Sequence, residues 1–397
     1  MPGFVPFRAL RYAPGTDLQA VIAPPYDVLS EADVAALAAR DTHNIVTVDV
    51  PRGGDDRYTD AAATLRSWLA EGVLVPDGQP SFTIYRMRFT DSTGAARATV
   101  GVLGGLEVVD YGDGGVLPHE RVTPKASTDR LDLTRATAAN LSPVWGLSLA
   151  GGLTAALEAP GEFVGSMTAD GVEHVVERVT DPQRIAEIAA ILAADDVLIA
   201  DGHHRYGVAQ QYRDEVRAAT GRSDTDAEYA LAFVNELVAD QLSIEAIHRV
   251  YTGVSLDQVR AALAGSFDLE PAPAPGPALL ASMVEQGRLV LLAPDDTTSW
   301  LIPKPGAFEG VRALDGAWLE HALAGSEAVV GYQHGVDEMV ALVGSGTVTA
   351  GILIRPTSLA EIQRTAREGL LMPPKSTFFT PKLRTGFVIR PTEPLEA

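Results

Sequence analysis

Residues 200–209, ADGHHRYGVA, constrain the fold of this chain more than any other segment. They follow an apolar run, residues 197–200, which predicts a buried strand, and they lead into residues 206–218, where apolar side chains recur at helical spacing. Asp201 and Gly202 are therefore predicted to lie where a strand turns into a helix. The first backbone N–H groups of a helix have no partners within it, and they attract anions.

Four chemically active side chains occupy this turn. A carboxylate (Asp201), two imidazoles (His203 and His204) and a guanidinium (Arg205) follow one another within five positions. An Asp-Gly turn with a helix cap is the simpler interpretation. Three successive polar side chains cannot all point into a core, however, and burying them without partners is costly. Because ligand sites gather at the carboxyl ends of strands, we interpret the turn as a site for holding phosphates and moving a proton.

The composition limits the classes of partner. The 397 residues carry 52 acidic and 31 basic side chains, a net charge of −21, and 46% of the residues are hydrophobic. A negative field of this size repels nucleic acid and anionic membranes, so we expect neither as a partner. A nucleotide can still bind where a few basic residues converge.

Several site chemistries are excluded or disfavoured by the residues themselves. The chain has no cysteine, so disulfides, thiolate catalysis and cysteine metal ligation cannot occur. The first ten residues lack the pattern of a signal peptide, and no apolar run approaches the ~18 residues of a membrane span, so we expect a cytoplasmic protein. Neither the phosphate-binding loop of P-loop kinases nor the HExxH zinc motif is present.

The organisation of the chain predicts a mixed α/β fold. Residues 81–89 and 97–109 read as an antiparallel pair, residues 20–22 and 44–50 as strands, and residues 182–194 as a helix that leads to the DGHHR strand. The Pro-rich segment 271–277, PAPAPGP, is the best boundary signal. We therefore expect an N-terminal and central α/β region, 1–270, and an additional C-terminal α/β region, 278–397.

Two further polar segments are candidate site loops. Residues 119–130 contain six ionisable residues in twelve positions, and the segment PPKSTFFTPKL near the C-terminus presents lysines and hydroxyls between prolines. Loops that carry such side chains often form sites. A solvated surface loop is an equal alternative for the first segment, and an ordinary connection is an equal alternative for the second.

The chain resembles the bacterial and archaeal proteins of domain-of-unknown-function family 1015 over nearly its whole length. The resemblance is carried by VIAPPYDVLS (21–30), by the HE, PK, DR and NLSP series (119–143), by ADGHHRY (200–206) and by PKSTFFTPKL (374–383). This family supplies no activity.

The DGHHR segment also resembles the signature of the ParB/sulfiredoxin superfamily, whose members place this turn against nucleotide phosphates. Sulfiredoxins carry a reactive cysteine where His203 stands here, so their chemistry cannot be inherited. ParB proteins use CTP and bind DNA, and the net charge argues against the DNA. The free-serine kinases carry a DGHHR turn and phosphorylate a small hydroxyl, which conflicts with nothing in this composition. The resemblance implies a ParB/sulfiredoxin-like nucleotide-binding core.

We therefore predict an enzyme that transfers a phosphoryl group from a nucleotide, ATP, ADP or CTP, to a small hydroxylated metabolite, with free serine as the best single candidate. Positioning and charge stabilisation dominate such reactions, and Mg²⁺ is expected to bridge the phosphates. The predicted proton acceptor is Asp201, with Glu120 as second choice and His119 beside it. The predicted phosphate-binding residues are Gly202, His203, His204, Arg205, Lys125 and Arg130, and the predicted acceptor-binding residues are Lys375, Ser376, Thr377 and Asp27.

Two other functions stay open at this point. A metal-dependent hydrolase or phosphatase would use imidazole and carboxylate ligands, which suit Zn, Mn or Fe. A non-enzymatic nucleotide sensor would bind through the same turn without transfer. The oligomeric state is also open, a homo-oligomer included. The hydrolase would take its ligands from Asp201, His203, His204, His119 and Glu120.

Overall fold

Strands and helices are interspersed along the chain, which confirms the predicted mixed α/β class. The computed structural model describes residues 1–91, 94–120, 127–373 and 375–394. The chain divides into two units: unit 1 comprises Met1–Ser243 and Pro381–Ala397, and unit 2 comprises Ile244–Thr380. The additional α/β unit that the sequence predicts is therefore present. Among the described residues, no helix combines the length and apolar character needed to cross a membrane.

The strands and helices are named in chain order. The strands are β1 (Phe4–Val5), β2 (Leu10–Tyr12), β3 (Leu74–Pro76), β4 (Phe82–Thr90), β5 (Ala96–Glu107), β6 (Val116–Leu117), β7 (Ala139–Asn140), β8 (Val144–Ser148), β9 (Glu162–Ala169), β10 (Val172–Val179), β11 (Val197–Asp201), β12 (Tyr229–Glu236), β13 (Ser243–Glu245), β14 (His248–Thr252), β15 (Phe267–Pro271), β16 (Leu289–Leu292), β17 (Thr298–Pro303), β18 (Val329–Gln333), β19 (Ala350–Leu353), β20 (Phe378–Thr380) and β21 (Arg390–Pro391). The helices are α1 (Leu18–Val21), α2 (Glu31–Arg40), α3 (Val46–Asp49), α4 (Arg57–Ala70), α5 (Ser127–Thr137), α6 (Leu153–Ala156), α7 (Pro182–Leu192), α8 (His203–Thr220), α9 (Leu256–Leu263), α10 (Pro277–Gln286), α11 (Asp315–Ala322), α12 (Val336–Gly344) and α13 (Leu359–Arg367).

The main sheet of unit 1 holds the DGHHR strand away from its edges. Among the described residues the strand order is β6-β11-β8-β12-β5-β4-β10-β9, and β1 pairs with β5. β11 runs parallel to β6 and antiparallel to β8. Its side chains Val197 and Ile199 are fully buried, because they pack in one core cluster with Leu192 of α7 and Tyr206 of α8. β4 and β5 form the predicted antiparallel pair, with Thr83 opposite Leu103.

Helix α8 begins directly after β11 and ends at a glycine. Gly202 caps its start at φ +86°, and Gly221 closes its end at φ +69°. Tyr206 is fully buried in the core of unit 1, and its hydroxyl accepts a hydrogen bond of 2.8 Å from the backbone N–H of Val109. The predicted strand-to-helix junction is confirmed, and its buried tyrosine fixes the first turn of the helix against the sheet.

Unit 2 is a second sheet with helices on both faces. Its strands follow the order β15-β17-β16-β19-β14-β18, and neighbouring strands run antiparallel. Alternate residues of a strand point to opposite faces. Leu289 and Leu291 of β16 therefore join a core cluster with Leu263 of α9, whereas Val290 and Leu292 join a separate cluster with Met283 of α10.

The division between units differs from the one that the Pro-rich segment predicts. Pro271 is the last residue of β15, which pairs with β17, and Pro277 is the first residue of α10. Both elements belong to unit 2, so the prolines connect two parts of one core. Proline suits the first turn of a helix because its missing N–H would have no partner there.

The predicted strands at residues 20–22 and 44–50 are wrong, since these segments form α1 and α3. The side chain of Asp17 accepts a hydrogen bond from the N–H of Gln19, and that of Asn44 accepts one from the N–H of Val46. Such local bonds to the backbone start a helical turn, and they prevail here over the β propensity of valine and threonine.

Candidate functional site

The site is centred on the turn between β11 and α8. Asp201 ends the strand, Gly202 takes a left-handed conformation, and His203 begins the helix. A Cβ atom added to Gly202 would lie 3.0 Å from both Cζ and Nε of Arg205. The glycine is therefore required twice, once for its positive φ and once for the guanidinium that lies against it.

Two cations meet on the Asp201 carboxylate. Nη2 of Arg205 lies 2.7 Å from Oδ2, and Nζ of Lys382 lies 3.0 Å from Oδ1. The side chains are 24% exposed for Asp201, 10% for Arg205 and 15% for Lys382, so all three are mostly removed from water. Burial opposes ionisation of the carboxyl group, but the charges of Lys382 and Arg205 prevail and lower the pKa of Asp201.

Arg205 also connects the turn to the NLSP segment. Its Nη1 donates a hydrogen bond to the carbonyl oxygen of Pro143. Burial would lower the pKa of Arg205, but the negative charges of Asp201 and then Asp27 raise it. Asp27 lies in a 3₁₀ turn, Tyr26–Val28, and its side chain is exposed. The structure thus brings the APPYD, NLSP and DGHHR motifs together around one guanidinium.

Two imidazoles pack against each other beside this turn. The rings of His119 and His203 meet edge to face with centroids 4.8 Å apart, and Nε2 of His203 accepts a 3.4 Å hydrogen bond from the backbone N–H of His119. Nδ1 of His119 lies 2.6 Å from the carbonyl oxygen of Ile199. Burial lowers the pKa of His119 to about 4, and burial and the neighbouring imidazole lower the pKa of His203. Both rings are therefore neutral at pH 7.

Glu120 and His204 come directly after these two histidines in the HE and HHR motifs. Glu120 comes directly after the buried His119, and its own side chain is partly buried. His204 lies in the first turn of α8 and is also partly buried. The five residues that a metal-dependent hydrolase would use do not form a ligand cluster: among the described residues, no group of three or more histidine and carboxylate side chains is placed to hold a metal ion.

A small cavity of about 50 Å³ adjoins Arg205. A buried carboxylate, Asp49, lies on its wall. Nη1 of Arg130 donates to the backbone oxygen of Asp49 at 2.6 Å and lies 3.3 Å from its Oδ1, and the Arg130 guanidinium stacks over the Tyr26 ring at 4.2 Å. Burial raises the pKa of Asp49, although Arg130 and Arg205 act against it. The polar lining residues are Tyr26, Asp49, Arg130, Thr134, Asn140, Ser142 and Arg205.

The remaining predicted phosphate-binding and acceptor-binding residues either belong to unit 2 or fall outside the described residues. Lys125 falls outside the described residues. Lys375, Ser376 and Thr377 belong to unit 2, where the hydroxyl of Ser376 donates to the Pro373 carbonyl at 2.7 Å and Lys375 takes a left-handed φ of +59°. Their role as acceptor ligands stays a prediction.

Sequence reasoning missed two members of the site. Asp49 was hidden inside a segment predicted as a strand. Lys382 lies in the PKSTFFTPKL segment but was not among the predicted site residues, although its ammonium contacts Asp201. A signal existed for Lys382, because this segment presents lysines and hydroxyls between prolines. None existed for Asp49, which lies in the run IVTVDV, where β-branched residues predict a strand.

The fold and the site define an α/β protein with a cation-rich turn at the carboxyl end of a sheet strand. The chain belongs to the protein family of unknown function DUF1015, whose profile matches residues 4–317. No curated protein matches the sequence.

Several solved structures are similar to this chain at a low level. A conserved hypothetical protein from Pyrococcus furiosus is 13% identical, with a TM-score of 0.39, over 70% of this chain and 92% of that chain. A free serine kinase in complex with AMP is 14% identical, with a TM-score of 0.39, over 69% and 89%. SbnI from Staphylococcus aureus, with a C-terminal truncation, is 13% identical, with a TM-score of 0.38, over 72% and 87%. Similarity at this level leaves the function to the residues of the site.

Proposed function

We propose that this protein transfers a phosphoryl group from a nucleotide, ATP, ADP or CTP, to the hydroxyl group of a small metabolite. The observation that carries the proposal is the turn between β11 and α8, where Arg205 lies against Gly202 at the start of an 18-residue helix. The positive end of a helix and a mostly buried guanidinium favour the same kind of ligand, a phosphate group. Free serine is the first acceptor to test, because the DGHHR segment resembles that of the free-serine kinases.

The phosphates would be held by Arg205, by the first turn of α8 and by His203 and His204. The N-terminal cap of the helix supports this role, since Gly202 has no side chain that could cover the first backbone N–H groups. Neutral imidazoles can donate a hydrogen bond to a phosphate oxygen without an additional charge. Since phosphoryl transfer depends mainly on positioning and charge stabilisation, such a turn would supply most of the catalysis.

The geometry favours a change in the role of Asp201. Its two ion pairs lower its pKa, so its carboxylate has little affinity for a proton and is better suited to orient Arg205 and Lys382. Asp27 makes no hydrogen bond or ion pair with the described residues, and its charge still acts on Arg205. We therefore assign proton acceptance to Asp27, with Asp201 and Glu120 as alternatives.

The metal enters this proposal with the nucleotide. Mg²⁺ is bound through phosphate oxygens and only one or two protein carboxylates, so no all-protein cage is needed. It would neutralise charge on the phosphates. Of the other predicted phosphate ligands, Arg130 is already paired with Asp49 and with Asp129, whose Oδ2 lies 2.9 Å from Nη2. Arg130 is therefore proposed to support the wall of the cavity and not to bind phosphate directly.

The test is a reaction panel. The protein is incubated with Mg²⁺, with ATP, ADP or CTP, and with serine and other hydroxy amino acids, and the products are identified by mass spectrometry. We expect a phosphorylated acceptor. Release of phosphate without an acceptor would favour a hydrolase, and nucleotide binding without turnover would favour a sensor.

Two variants make the panel specific. Arg205→Lys keeps the charge but loses the planar fork, and we expect nucleotide affinity to fall about 10- to 100-fold. Arg217→Lys is the matched control, because Arg217 lies on the same helix about 18 Å further along and pairs with Glu228. An unchanged affinity in Arg205→Lys would contradict the proposed phosphate site.

A further inference from the structure

The chain returns to unit 1 after unit 2, and the return carries a lysine into the candidate site. Lys382 is the second residue of the returning segment, Pro381–Ala397. Its ammonium lies 3.0 Å from Oδ1 of Asp201, across a sequence separation of 181 residues. The family profile matches residues 4–317, so Asp201 lies inside the matched region and Lys382 lies outside it.

The ion pair is not what holds the returning segment in place. Thr385 and Ala23 exchange two backbone hydrogen bonds, of 2.9 and 3.2 Å. Leu10 and Ile389 exchange two more, of 2.9 and 3.0 Å. These four bonds fix the segment to unit 1 close to Lys382. The backbone of this segment is therefore anchored independently of the ion pair between Lys382 and Asp201.

The choice of lysine at this position is unusual for this chain. The sequence has only four lysines among its 31 basic residues, namely Lys125, Lys304, Lys375 and Lys382. Asp201 already has one cation, Arg205, which lies 2.7 Å from its other carboxylate oxygen. A lysine differs from an arginine in having a compact charge on a flexible stem with three donors. Such a group can exchange one oxygen partner for another without disturbing the fixed guanidinium.

We propose that Lys382 is a phosphate-binding residue of this site, which exchanges its contact with Asp201 for an oxygen of the nucleotide phosphates. The inference rests on the proposed phosphoryl transfer and adds a ligand to it from the C-terminal segment. Asp201 then holds the ammonium group in place until the nucleotide binds, in a site that is mostly removed from water. Lysine is a common phosphate ligand because its point charge needs no fixed orientation.

Affinity labelling tests this role directly. Acyl-phosphate derivatives of ATP and of ADP transfer their acyl group to lysines that lie beside the bound phosphates. With four lysines in the chain, peptide mass spectrometry can score each one. We expect acylation of Lys382, its suppression by excess unmodified nucleotide, and no such protection of Lys304, whose ammonium donates to the carbonyl oxygen of Ala264.

A pair of variants completes the test. Lys382→Met keeps the length of the side chain without its charge, and we expect the dissociation constant for the nucleotide to rise about 10- to 100-fold. Lys304→Met should leave it unchanged. If the nucleotide binds the unaltered protein while Lys382 is not labelled and Lys382→Met binds normally, the role of Lys382 is wrong and the proposed function stands. If the unaltered protein binds no nucleotide, both fall.

Discussion

The guanidinium of Arg205 occupies the space that a side chain on Gly202 would need. A Cβ atom at position 202 would lie 3.0 Å from Cζ of Arg205, and the same guanidinium reaches Oδ2 of Asp201 at 2.7 Å. The positions of Gly202, Arg205 and Asp201 therefore depend on one another. Because Gly202 has no side chain, the guanidinium of Arg205 can lie against it and reach Asp201.

Gly202→Ala should damage the site and the fold together. The left-handed φ of +86° costs a non-glycine residue about 1–2 kcal/mol, and the added methyl group would displace Arg205. We expect a lower midpoint of urea unfolding and weaker nucleotide binding. Gly207→Ala is the control on the same helix: a Cβ there meets no atom within 4 Å, and alanine should stabilise the helix by about 0.5–1 kcal/mol. Equal effects of the two substitutions would contradict the packing of Arg205 on Gly202.

Asp27→Asn and Asp201→Asn should separate the two carboxylate roles. If Asp27 accepts the proton, Asp27→Asn lowers turnover by roughly 10²–10⁴-fold and leaves nucleotide affinity unchanged. Asp201→Asn removes the partner of two cations and should alter nucleotide affinity, with a smaller effect on turnover. Steady-state kinetics and direct binding measurements distinguish the two. The opposite pattern would return the proton acceptor to Asp201.

The buried histidine His119 should make the protein less stable in mild acid. Its pKa is lowered from 6.5 to about 4 in the folded state, because burial disfavours the charged imidazole. The unfolded chain therefore binds more protons between these two values. The stabilisation is complete above pH 6.5 and is lost as the pH falls toward 4, by up to about 1.4 kcal/mol per pH unit. Urea unfolding at a series of pH values gives the free energy of unfolding as a function of pH. We expect this free energy to change less steeply with pH in His119→Gln than in the unaltered protein. An equal dependence on pH in the two proteins would show that His119 is not the group responsible.

Asp49→Ala should be the most destabilising change near the cavity. Asp49 is buried, and its Oδ1 lies 3.3 Å from Nη1 of Arg130. Alanine keeps the backbone hydrogen bond but removes the carboxylate, which leaves a mostly buried guanidinium without one of its two negative partners, at a cost of about 3 kcal/mol. Asp129→Ala removes the other carboxylate of the same arginine, but that side chain is 51% exposed and should cost less than about 1 kcal/mol. Equilibrium unfolding of the two variants gives the comparison. Similar losses would argue against Asp49 as the structural partner of Arg130.

Local signals in the sequence predicted the elements that carry the site. The apolar run before Asp201, the glycine at 202 and the helical spacing after it give the strand, turn and helix that the structure contains. The spacing of Ser30 and Asp33 is also typical of a helix start, and both side-chain bonds of this capping box are present at the start of α2. These features depend on neighbours within about four positions, and such neighbours can be read from the chain directly.

The sequence by itself determined the α/β class, the DGHHR junction and the set of charged groups available to it. Only the tertiary structure decided which of those groups meet. Lys382 reaches Asp201 because the chain leaves unit 1 at Ser243 and returns at Pro381, and Asp49 lies on the cavity wall because a β-branched segment forms a helical turn. Contacts between residues so far apart have no local pattern, since they depend on how whole sheets and helices pack and on which buried charges find partners there.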